Sequence, residues 1–125
     1  MERFVGRLKG MRWEGMAELV DWPQSSQYLP DLPKSNKGEI EAKREVMRRL
    51  AENLSGFPVR KKTPEQVRHE FIYLKLARLE HMRDGDNWAW LEITLSTEKR
   101  AKRVQVLLMK INRVWRIVLT DSVFK

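Results

Sequence analysis

Residues 87–121 read NWAWLEITLSTEKRAKRVQVLLMKINRVWRIVLTD, and this stretch decides the fold. Apolar and polar residues alternate through it, the period of half-buried strands. It divides into three antiparallel strands. A loop at Glu98–Ala101 pairs Thr97 with Lys102 and places Leu95, Ile93 and Leu91 opposite Val104, Val106 and Leu108. A tight turn at Asn112-Arg113 sets Leu108 opposite Ile117 and Val106 opposite Leu119. Cross-strand partners share a face. The core face therefore carries Leu91, Ile93, Leu95, Val104, Val106, Leu108, Trp115, Ile117 and Leu119. Trp115 is expected to be buried against Trp13, Met16 or Met47. The opposite face carries Trp88, Trp90, Leu107, Met109, Ile111, Val114 and Val118 beside Glu92, Thr94, Gln105 and Arg116. A second apolar face needs a cover. Trp88, Trp90, Leu107, Met109 and Val118 are accordingly expected to form a homodimer interface.

Working backwards, residues 63–83 run TPEQVRHEFIYLKLARLEHMR into Asp84-Gly85-Asp86-Asn87, a hairpin signal. Thr63-Pro64 with Gln66 resembles a capped helix start. Ile72, Leu74 and Leu76 alternate, and Phe71, Ile72 and Tyr73 favour strand. The expectation is one helical turn at Pro64–Arg68, then a strand from Glu70 to Met82. Glu39 to Leu54 has helical period, with Ile40, Met47, Leu50 and Leu54 as its stripe. Asn36 is its expected N-cap, and Gly56 and Pro58 its stop. The opening segment is helical, broken at Gly10 and ended by Pro23. PQSSQYLPDLPKSNKG then forms a long loop of the kind that often carries function.

The chain has 125 residues, enough for one domain spanning 1–125. Its residues are 42% apolar and 34% charged, a foldable balance. Lys and Arg number 25 against 17 Asp and Glu, a net charge of +8. That surplus admits nucleic acid or an acidic partner, but it sits mostly in mixed-sign runs such as EAKREVMRRLAEN. Cysteine is absent, which excludes disulfides, thiolate metal sites and Cys nucleophiles. Apolar residues near Met1 are interrupted by Arg7, Lys9 and Arg12, so no signal peptide is read there. No apolar run reaches the roughly 20 residues of a membrane helix. A cytoplasmic protein without membrane contact is expected.

WEGMAELVDWP near the start, RDGDNWAWLEITL entering the sheet and LLMKINRVWRIVLTD closing it resemble the nuclear transport factor 2-like superfamily. This is the cystatin-like cone that also includes ketosteroid isomerase. The resemblance implies an α+β fold, with N-terminal helices packed on a curved antiparallel sheet around a pocket. It also implies dimers through the sheet and functions ranging from isomerase and hydrolase to adaptor. The TPEQVRHEF segment departs from that pattern. Fold analogy alone does not choose among these functions.

Candidates for a pocket in such a cone are Asp21, Tyr28, Tyr73, Arg78, Glu80, His81 and Trp115, with His69 as a further ionisable group. If Met82 pairs with Ala89, Glu80 and Arg78 face the core. A shift of one residue brings His81, Leu79, Ala77, Lys75 and Tyr73 there instead. Asp21 is placed at a helix C-terminus, an unfavourable position for an anion. His69 and His81 lie apart with no third ligand, so no metal is expected. Neither a Gly-x-x-x-x-Gly-Lys loop nor a Gly-x-Ser-x-Gly elbow occurs, so neither a nucleotide cofactor nor a catalytic residue is assigned. The leading expectation is a non-catalytic domain that binds a small apolar ligand or a protein and dimerises through its sheet. The alternatives are a pocket enzyme of the isomerase or hydrolase type and a basic nucleic-acid binder using TEKRAKR and VRKK with nearby aromatics.

Overall fold

The computed structural model describes residues Met1–Lys125. Five helices precede the sheet: α1 (Glu2–Lys9), α2 (Trp13–Ala17), α3 (Trp22–Tyr28), α4 (Ile40–Ser55) and α5 (Pro64–Phe71). The strands β1 (Lys75–Asp84), β2 (Trp88–Ser96), β3 (Ala101–Ile111) and β4 (Val114–Val118) form one antiparallel meander in the order β1-β2-β3-β4. Short 3-10 turns lie at Val59–Lys61 and Asp121–Val123. The fold is α+β with its helices N-terminal to the sheet, a layout consistent with the cone expected from the sequence.

Local chemistry explains where the helices differ from expectation. Pro23 does not end a helix; it sits in the first turn of α3, where a missing N–H costs nothing. Asp21 caps that helix by accepting from the Gln24 amide at 3.0 Å. The expected long loop therefore shrinks to residues 29–39. The Thr63–Gln66 capping box is present, but α5 runs to Phe71 rather than Arg68. Val67 and Phe71 are both buried on one helical face, and that packing overrides the strand preference of Phe71-Ile72-Tyr73. The strand then begins at Lys75, not Glu70. Gly56, with φ +69°, ends α4 in the left-handed conformation as read from the sequence.

In the β3–β4 hairpin, Leu108 pairs with Ile117 as expected. Asn112 and Arg113 both have positive φ, which a two-residue turn matching the sheet twist requires. Between β2 and β3 the register differs: Leu95 faces Lys102, Ile93 faces Val104 and Leu91 faces Val106. The turn closes one residue earlier on each strand, with Ser96 opposite Ala101. A slip of two preserves side-chain parity, so the face assignment survives it. β1 follows neither expected register throughout. Bulges between Leu76 and Arg78 and between His81 and Arg83 shift its pairing twice. Leu76, Leu79 and His81 thereby join the helix-facing side, and Arg78, Glu80 and Arg83 the outer side.

The helix-facing side of β2 and β3 packs on α1, α2, α4 and α5 in one cluster of 25 buried residues. Trp22, Phe71, Leu8, Met16, Met47, Leu50, Ile93 and Leu119 are at its centre. Trp115 is not. It shares the parity of Ile117 but pairs with Lys110 near the hairpin tip, and is 47% exposed. Arg116 and Leu108 beside it are only partly covered, so the tip of the sheet extends past the densest packing. The large buried indole is that of Trp22, 1% exposed, its Nε1–H donating to the Ala17 carbonyl at 3.1 Å. Trp22→Ala should lower unfolding free energy by about 3–5 kcal/mol, the range for deleting a buried aromatic. Trp115→Ala should stay within about 1 kcal/mol of wild type. Urea denaturation of the two variants checks this ordering.

Candidate functional site

The sequence candidates do not converge. Tyr28 is exposed at the end of α3, and Tyr73, between α5 and β1, is exposed with its ring edge-on to His69 at 6.4 Å. Arg78 and Glu80 form an ion pair on the outer face in solvent. His81 is on the helix-facing side of the free edge strand but stays exposed, its Nε2 3.8 Å from Asp84 Oδ2. Trp115 is at the open tip.

Asp21 alone is buried, and its surroundings show a structural role. Its Oδ1 accepts from Asn36 Nδ2 at 3.2 Å and lies 3.7 Å from Arg116 Nε. Asn36, expected to cap α4, instead accepts from the Trp22 amide at 2.9 Å. Arg116 Nη2 donates to the carbonyls of Glu18 and Val20, while its buried Nε finds no hydrogen-bond partner. The charge of Arg116 is therefore compensated mainly by Asp21. Asp21→Ala removes both the helix cap and that charge, and should cost about 2–3 kcal/mol. Asn36→Ala should cost about 1 kcal/mol. Thermal and urea melts read both.

With Asn36 drawn toward α3, α4 is left without a side-chain cap. Its N-cap residue is Glu39, held at φ 54°, and the first amide bonded within the helix is that of Lys43, to the Glu39 carbonyl at 3.0 Å. The amides of Ile40, Glu41 and Ala42 thus have no intrahelical acceptor. Of these three residues, Ile40 borders a cavity of about 180 Å³ lined by Glu14, Ala17, Glu18, Trp22, Asn36, Gly38, Ile40 and Lys43.

Lys43 is the residue that the sequence reading missed. Ile40, assigned to the buried stripe of α4, is exposed; Lys43 takes the inward position, in line with Met47, Leu50 and Leu54. It is 5% exposed. Its Nζ lies 5.6 Å from the centre of the Trp22 ring and makes no hydrogen bond or ion pair. The signal was available: a lysine four residues before Met47 and seven before Leu50 interrupts an apolar stripe.

Burial pushes the Lys43 ammonium below the ordinary lysine value of 10.5, with Glu39 opposing. Lys102 is pushed down by burial as well, although its Nζ donates to the Asn53 carbonyl and Oδ1, each at 2.8 Å. For both groups the folded state gives up its proton at lower pH than the unfolded chain. Between the lowered folded value and 10.5 the unfolded chain binds more protons, so stability rises with pH through that window. Below the window the burial penalty is fully present. Lys43→Met should therefore raise stability at neutral pH by about 1 kcal/mol, the low end for relieving an unpartnered buried polar group. It should also flatten the alkaline rise. Urea midpoints from about pH 8 to 10.5 would show both effects.

A basic groove lies beside this cavity, lined by Arg7, Arg12, Arg44 and Arg48 around Trp13. Most of its charge is compensated. Arg7 pairs with Glu18, Arg44 with Glu14 and Glu41, and Arg48 with Glu45. Part of each basic loop marked in the sequence is likewise engaged internally. Arg60 pairs with Glu45 and Glu52. Arg100 donates to the Gly56 carbonyl at 3.0 Å, and with Lys102 it satisfies carbonyls at the C-terminus of α4.

No cluster of three His, Cys, Asp or Glu side chains suited to a metal ion is present, and no helix is long and apolar enough to cross a membrane. Comparison with protein-family models and with curated proteins finds no match to this chain.

Proposed function

We propose that the chain is a non-catalytic binding domain that pairs with a second copy through the outer face of its sheet. The filled interior supports the non-catalytic part. The space between helices and sheet, where a cone enzyme would hold its substrate, is occupied by Met16, Met47, Leu50, Phe71, Ile93 and Leu119. The ionisable candidates are dispersed: those on or near β1 pair in exposed contacts, and buried Asp21 caps α3 and pairs with Arg116 rather than forming an enclosed acid–base couple.

The observation that carries the pairing is a contiguous apolar patch toward the hairpin tip. Trp88 lies opposite Met109, and Ile111 opposite Val114, with Trp90 one row along. Trp88 is 37% exposed and Val114 more so. Leu107 and Val118, expected in the interface, are already buried in the single chain, flanked by Trp90 and by the Met109–Arg116 pair. They back the patch rather than make contacts across it. Beyond it the outer face alternates in sign, with Arg78, Glu80, Glu92 and Arg103, which suits a two-fold pairing of identical faces. The bulges and charges of free edge strand β1 discourage association through its edge.

Light scattering should give twice the 14.9 kDa chain mass at about 100 µM, within the range of a modest interface. Trp88→Ser combined with Val114→Lys should shift the mass to one chain while leaving the melting transition near wild type. A single-chain mass for the unaltered protein would refute the pairing.

A further inference from the structure

We infer that the cavity at the N-terminus of α4 is a binding site for a small monocarboxylate carrying a compact apolar body. This rests on the reading of the domain as a non-catalytic binder, but not on the pairing of its sheets. Two independent features meet there. One is the uncapped first turn of a helix sixteen residues long, whose Ile40 lines the cavity and has an amide without a helical acceptor. Such a terminus carries roughly half a positive charge and favours an anion. The other is Lys43, more than nine-tenths buried and lining the same cavity, its ammonium over the Trp22 ring with no hydrogen bond or ion pair. Helical side chains lean toward the N-terminus, which directs the Lys43 stem toward that amide.

Charge and size define the ligand class. Lys43 together with the helix terminus supplies between one and two positive charges, a match for a monoanion. Glu14 and Glu18 at the rim are each paired to an arginine, Arg44 and Arg7. They leave the rim close to neutral and add nothing to hold a dianion. Trp22, Ala17 and Ile40 supply apolar wall, which free phosphate would leave unused. At about 180 Å³ the cavity is smaller than the roughly 300–1,000 Å³ of pockets for drug-sized ligands. A ring or short branched chain bearing one carboxylate fits that space. Its carboxylate would accept from the Lys43 ammonium and the Ile40 amide, and its body would lie against the exposed Ile40 side chain. A buried cation that weakens the fold is also what a ligand-binding role would retain.

Phenylacetate is the probe, with benzyl alcohol as an uncharged comparison and inorganic phosphate as an anion without an apolar body. Saturable shifts of the Ile40, Glu41 and Ala42 amides and the Trp22 indole N–H in heteronuclear NMR are expected with phenylacetate. Lys43→Met should weaken this binding about tenfold or more, as loss of a charge-assisted hydrogen bond implies. The variant is expected to fold at least as stably as wild type, so lost binding would not reflect unfolding. No saturable shift with phenylacetate at millimolar concentration would overturn the site, as would unchanged affinity in Lys43→Met. Equal or tighter binding of phosphate, or equal binding of benzyl alcohol, would overturn the carboxylate class. Chemical turnover of a bound carboxylate would instead overturn the non-catalytic reading and leave the site standing. Sheet pairing is read separately by mass, so its failure is distinguishable from failure here.

Discussion

Two backbone hydrogen bonds join the helical half of the chain to the sheet. The Asp21 amide donates to the Ile117 carbonyl at 2.8 Å, and the Ile117 amide donates to the Leu19 carbonyl at 2.9 Å. They form a parallel bridge of Val20 to Ile117 at the outer edge of β4. The segment between α2 and α3 thus behaves as a short fifth strand. Nearly a hundred residues separate its partners, so the entropy of closing that loop must be offset locally. Arg116 grips the Glu18 and Val20 carbonyls, and Ser25 Oγ accepts from the Leu119 amide at 2.8 Å. Asp21 terminates this network and starts α3. An aspartate that looked functional for sitting beside an unfavourable helix end proves to cap a favourable one.

The same bridge shapes the candidate site. By fixing Asp21 and Trp22 at the sheet edge, it holds Asn36 through two hydrogen bonds and folds residues 29–39 back over α3. Asn36 is thereby unavailable to cap α4, and Glu39 takes the cap position in a left-handed conformation that offers no side-chain acceptor. The uncapped helix end follows from satisfying polar groups elsewhere. One wall of its cavity is Trp22, the largest of the fully buried side chains. The stability of the fold and the shape of the site thus share one residue.

Much of the sheet was legible because strand parity is robust. A two-residue error in the β2–β3 register left every side chain on its assigned face, since parity repeats every two residues. Parity says nothing of where along a strand the covering layer stops, which is why Trp115 was misplaced: its face was right, and its row lies at the tip. β1 was harder, because two bulges reset its parity and no Gly or Pro in Leu76–Arg83 marks them. Among the helices, α5 showed that a buried i, i+4 pair outweighs a locally β-prone triplet. The site was the least legible part. Its elements are a lysine in an apolar stripe, an asparagine diverted to another helix and a glutamate that fails as a cap. The lysine was visible as a break in the stripe, but the diversion of Asn36 to Trp22 and Asp21 depends on tertiary contacts that no local window contains.

The basic charge illustrates why composition underdetermines partners. A surplus of +8 suggests a polyanion. Yet Arg44, Arg60, Arg100, Lys102 and Arg116 are each held by carboxylates or carbonyls that fasten one element to another. Arg100 and Lys102 reach from the β2–β3 hairpin to the last turn of α4, so the densest basic loop in the sequence closes one end of the fold. A cation occupied in this way cannot release a counterion to a phosphate backbone without giving up an internal contact. Lys43 differs because it has no such contact. It is desolvated over the Trp22 ring, with Glu39 only partly opposing the effect of burial. The physical distinction that matters for function is thus between cations already answered within the chain and the buried one that is not.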